Sequence, residues 1–85
     1  MITESDMRVL AAAIRAGRGA LNWSQQELAD KAGVSLPTVT RMEASSGSPK
    51  FDTVSRLIGA LEKAGVQFTW TGGGGFGVTV VPRKR

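Results

Sequence analysis

Apolar residues recur at three- and four-residue spacing until about residue 64, and then switch to strict alternation. Leu10, Ala13, Ile14, Gly17 and Leu21 share one helical face and predict a first helix. Thr3-Glu4-Ser5-Asp6 reads as its capping box, and Gly17-Arg18-Gly19 is expected to end it near Gly17 or Arg18. Ser24-Gln25-Gln26-Glu27 is a second capping box, with Trp23 and Leu28 placed as a hydrophobic staple. That helix is expected to stop near Ala32, where Gly33 supplies a positive φ. Ser35 caps a third helix, with Pro37 in its first turn, where a missing amide is harmless. Val39 and Met42 form its inward stripe, and the small Ala29 lets the second and third helices approach closely. After a polar loop from Ala44 to Lys50, a fourth helix is predicted from about Phe51 to Ala64. Its stripe is Val54, Leu57, Ile58, Leu61 and Ala64, and Gly65 stops it. Val66, Phe68 and Trp70, then Phe76, Val78 and Val80, alternate on either side of Gly72–Gly75, as the strands of a β-hairpin do. The expected fold is mainly α: four helices over residues 1–65, a hairpin over 66–81 and a basic tail over 82–85.

Composition narrows the function. Eighty-five residues make one domain with a modest core. The chain has no cysteine, histidine or tyrosine. It therefore lacks disulfides, thiolate metal sites and the commonest general base, and a non-enzyme needing no cofactor is expected. The net charge is +4, unevenly spread: residues 1–14 sum to −1, 15–50 to +2, 51–81 to zero and Arg83-Lys84-Arg85 to +3. A mildly basic domain is compatible with nucleic acid without requiring it. No apolar run approaches the ~20 residues of a membrane span, and the N-terminus shows no signal-peptide pattern, so a soluble cytoplasmic protein is expected.

The segment from Ser24 to Glu43 carries the functional signal. It reads as two short helices around a tight turn, the second apolar on one side and half-polar on the other. A chain presents a helix to the DNA major groove in this way. Gln25, Glu27-Leu28-Ala29, Ala32-Gly33-Val34-Ser35, Val39 and Arg41-Met42-Glu43 together resemble the helix-turn-helix of the lambda-repressor-like, xenobiotic-response-element (XRE) family of bacterial and phage regulators. The resemblance extends from about Ile14 to about Leu61. It implies a phosphate contact for Gln25 and base-edge contacts for the exposed face of the third helix, namely Leu36, Pro37, Thr38, Thr40 and Arg41. It further implies a backbone-tracking loop at Ser46, Ser48 and Lys50, and a structural ion pair between Arg18 and Glu43. Ser35, which opens the third helix, is grouped with the DNA-binding residues.

Side-chain chemistry bears on the same positions independently. Arg41 can hold guanine O6 and N7 with two parallel donors. Leu36, Pro37 and the Thr38 methyl suit a thymine methyl, and Thr40 a phosphate. The bland alternatives are a solvated charge for Arg41 and an edge-of-core position for Leu36. Leu36 and Pro37 stand where relatives often carry long polar residues. Direct readout is therefore expected to be sparse, with methyl contacts and DNA shape contributing.

The hairpin admits two readings. Val66, Phe68, Trp70, Phe76, Val78 and Val80 either build a homodimer or fold back on the fourth helix. The glycine run lacks the Lys-Ser/Thr of a phosphate loop and reads as a turn. The expectation is a sequence-specific transcriptional regulator, more readily a repressor, binding a palindromic operator in double-stranded DNA as a homodimer. An antitoxin-type module, holding a partner protein on the hairpin, is the alternative.

Overall fold

In a computed structural model of the protein, the described residues are 4–47 and 49–81. The first capping box, which needs Thr3, Ser48 and the basic tail lie outside them. The elements are α1 (Glu4–Ala20), α2 (Gln25–Ala32), α3 (Leu36–Glu43), α4 (Phe51–Lys63), β1 (Val66–Trp70) and β2 (Phe76–Val80).

Helix α1 runs past the expected stop at Gly17 or Arg18, to Ala20. Its end is set by a Schellman motif: Trp23 N–H donates to the Arg18 carbonyl and Asn22 N–H to the Gly19 carbonyl, both at 3.0 Å. Asn22 takes the left-handed conformation at φ 58°, one that asparagine tolerates. The glycines therefore do not break the helix. Gly17 is instead a point of close approach, since a Cβ there would lie 3.1 Å from Phe68 Cζ and 3.3 Å from both Leu61 Cδ1 and Val66 Cγ1.

The second capping box is complete: Glu27 N–H donates to Ser24 Oγ at 3.0 Å, and Ser24 N–H to Glu27 Oε1 at 2.8 Å. Gly33 ends α2 at φ 71°, and Val34 N–H reaches back to the Ala29 carbonyl. Ser35 caps α3. α4 ends at Lys63, one residue before the expected Ala64, which serves as its C-cap.

Ile14, Leu28, Val39, Leu57, Leu61 and Val66 are fully buried and draw every element except β2 into one core. Leu10, Leu21, Trp23, Val54 and Ile58 pack around them. β1 and β2 pair antiparallel, Val66 opposite Val80, Phe68 opposite Val78 and Trp70 opposite Phe76. The six expected apolar residues thus share one face of the hairpin, and that face lies on α1 and α4. The hairpin loop closes through Gly74 N–H to the Thr71 carbonyl at 3.2 Å, with Gly74 at φ 87°.

Fold-back within the chain therefore accounts for the inner end of the hairpin. Val66 was expected at a dimer interface and is corrected: with no exposed surface of its own, it has none to offer a second chain. Phe68 and Val78 are half-buried against the core. The loop end stays open at Trp70, 52% exposed, and Val80, across from Val66 on the outer strand, is 43% exposed.

Candidate nucleic-acid interface

Helix α3 is eight residues long and divides cleanly. Val39, Met42 and Glu43 face inward, at spacings of three and four. Leu36, Pro37, Thr40 and Arg41 occupy the opposite side and are exposed. Leu36, 38% exposed, stands on the solvent-facing side of the helix.

Glu43 fixes the inner side. It is the one charged residue buried among those described. Arg18 meets it with two parallel donors, Nε to Oε2 at 2.7 Å and Nη2 to Oε1 at 2.9 Å. Bidentate geometry of this kind gives direction as well as energy. The hydrogen bond from the carboxylate raises the Arg18 pKa further above its ordinary value. Arg18 also donates Nη1 to the Trp23 carbonyl at 2.9 Å, and Arg15 donates to the Glu43 carbonyl. The C-terminus of α3 is in this way fastened to α1 from two turns.

Gln25 completes the network. Its Nε2 donates to Glu43 Oε1 at 3.1 Å, and its Oε1 accepts from Thr40 Oγ1 at 3.0 Å. Gln25 therefore ties the start of α2 to the middle of α3 and keeps one amide proton for another partner. The Thr40 hydroxyl proton, expected to serve a phosphate, is committed to Gln25. A phosphate oxygen needs a donor, so that expectation for Thr40 does not fit the bonding seen here. Ser35 and Thr38 are similarly engaged, with hydroxyls 2.8 Å apart and Thr38 N–H on Ser35 Oγ at 3.3 Å.

Beside α3 lies a cleft of about 350 Å³, lined by Thr38, Arg41 and Ser46 on one side and Lys50 and Thr53 on the other. Among the described residues, no carboxylate lines it. The side chains of Arg41 and Lys50 make no hydrogen bond or ion pair among the described residues, so two cations and an open concavity adjoin the exposed face of α3. Ser45 shapes the loop at φ 59°, with Ser46 N–H returning to the Arg41 carbonyl at 3.0 Å.

Two positions were not legible from the sequence. Phe51 fits the helical stripe of Val54, Ile58 and Leu61, yet it is 85% exposed at the first turn of α4, next to Lys50. Arg15 carried no motif, and its role depends on the packing of α1 against the end of α3.

None of the curated proteins compared with this chain matches it. The family model described as helix-turn-helix matches residues 14–66, from the middle of α1 to the first residue of β1. That span contains the capped α2, the Gly33 turn, α3 and the Arg18–Glu43 pair. The chain belongs to the helix-turn-helix family, as an XRE-type, lambda-repressor-like DNA-binding regulator.

Proposed function

We propose that this protein is a sequence-specific transcriptional repressor that occupies a palindromic operator as a homodimer in the cytoplasm. One observation carries the reading: the exposed face of α3 offers Leu36, Pro37 and Arg41 outward, while Glu43 locks the opposite face. The helix is held rigidly and its outer side chains are free to meet base edges. Gln25, Ser46 and Lys50 flank it as backbone contacts. Repression by occupancy needs no second domain and no catalysis.

The hairpin supports the dimer. Gly65 pairs with Val81 and Thr71 with Gly75 through inward hydrogen bonds. Antiparallel alternation then turns the backbone groups of Phe76, Val78 and Val80 outward along the edge of a two-stranded sheet. No charge interrupts the chain between Ala64 and Pro82, and β2 has none of the lysines or prolines that usually blunt such an edge. A second copy of β2 would pair Val78 with its own counterpart and Phe76 with Val80 in a four-stranded sheet. Trp70, Phe76 and Val80 form the dimer surface in this reading. The same open edge keeps alive an antitoxin-type regulator, in which a partner protein supplies the strand.

Selection of duplexes from a random pool by the full chain tests the function. A palindromic consensus with half-sites about one helical turn (~34 Å) apart supports it. An asymmetric consensus contradicts the dimer, and no enrichment contradicts the regulator.

A further inference from the structure

We infer that α3 reads DNA chiefly through the C5-methyl groups of thymine, with Leu36 and Pro37 as the reading side chains. The inference rests on the DNA-binding function proposed above and follows from which hydrogen-bond donors are already in use. Ser35 and Thr38 use one of their two hydroxyl protons on each other at the start of the helix, and Thr40 donates to Gln25. Pro37 has no amide proton to give. Arg41, in the last turn, is the outward side chain of α3 whose donors are all free among the described residues.

The front of the helix therefore presents carbon. Leu36 is 38% exposed and Pro37 is exposed beside it. Within the major groove, the apolar feature that distinguishes one base pair from another is the thymine methyl. A leucine exposed at the tip of a helix whose Thr38 and Arg41 line a cleft with two cations, and no carboxylate among its described lining residues, matches a groove of negative phosphates around apolar methyls. Arg41 then adds one hydrogen-bonded base, and Leu36 with Pro37 discriminate at the neighbouring positions.

The experiment uses the duplex that the full chain selects from a random pool, remade with deoxyuridine replacing thymidine at one position at a time. At contacted positions, affinity should fall roughly fourfold for each methyl removed. Two symmetric half-sites substituted together should lose about fifteenfold. Leu36→Ala should bind the thymine duplex more weakly and be nearly indifferent to uracil. Arg41→Ala should bind weakly but keep the thymine preference. Arg41→Ala should melt with the parent, because its side chain is exposed, and Leu36→Ala should stay folded and melt only slightly lower, because Leu36 is partly covered. Equal binding of thymine and uracil duplexes by the parent overturns methyl readout while leaving DNA binding intact. A thymine preference undiminished in Leu36→Ala overturns the assignment to this residue. Failure to select any duplex removes the DNA-binding function itself, and the inference with it.

Discussion

Glycines 17 and 19 lie two positions apart in α1, and their surroundings differ completely. A methyl at Gly17 would press on Phe68, Leu61 and Val66, whereas Gly19 has open space around its Cα. Gly17→Ala should destabilise by about 1–3 kcal/mol through overpacking. Gly19→Ala should stabilise by up to about 1 kcal/mol, the helix preference of alanine over glycine. Urea unfolding of both variants checks this; destabilisation by neither would mean that the hairpin does not seat on α1. The Arg18–Glu43 pair obeys a different rule. Arg18→Met leaves a buried carboxylate whose charge is unbalanced, at a cost of about 3 kcal/mol. Arg18→Met with Glu43→Met should be less damaging than Arg18→Met alone, because neither charge is then buried unpaired. The Arg18 pKa is raised by folding, so its stabilisation is in place at every pH below its ordinary range and is lost only above it. Arg18 should therefore add no pH dependence to stability between about pH 5 and pH 9. At this scale the caps were legible, since Ser24 with Glu27 and Ser35 with Pro37 are local signals. The burial of Glu43 was legible only by resemblance, and the closeness of Gly17 to Phe68 not at all, because it depends on a contact 51 positions away along the chain.

Among the elements, helix periodicity located α2, α3 and α4 to within a residue of their observed ends: serine caps open α2 and α3, whereas α4, which has no side-chain cap, is marked by its apolar stripe and the Gly65 stop. α1 was misjudged because two glycines weaken helix propensity locally, yet packing beneath the hairpin sustains the helix. Alternation located both strands but could not say what their apolar face covers. Part of that face seals the core at Val66, so deleting the hairpin would expose Leu61 and confound any test of assembly. A single charge on the open edge is cleaner. Val80→Lys should leave the melting temperature nearly unchanged, since Val80 is 43% exposed, and should convert a dimer into a monomer in sedimentation equilibrium. A Val80→Lys protein that remains dimeric would move the interface away from β2.

As a whole, the molecule separates its charges from its apolar edge. Every charged residue lies at or before Lys63 or after Pro82, and the net charge of +4 is modest. No helix among the described residues is long and apolar enough to cross a membrane. Affinity for DNA must then come from a few well-placed phosphate contacts and not from a general basic field. Lys50→Ala should lower affinity similarly for all duplexes and make the slope of log affinity against log salt shallower by about 0.9 per lost contact. An unchanged slope would exclude Lys50 from the phosphate backbone. The measurement that bears most directly on the outward face of α3 is a binding series with the parent protein and Arg41→Ala. It uses the selected duplex and its single base-pair variants at moderate salt. Arg41→Ala should lose about 1–3 kcal/mol on the selected duplex and become indifferent at one base pair per half-site, while the parent discriminates there. Equal loss on every duplex, with discrimination intact at all positions, would contradict base reading by Arg41.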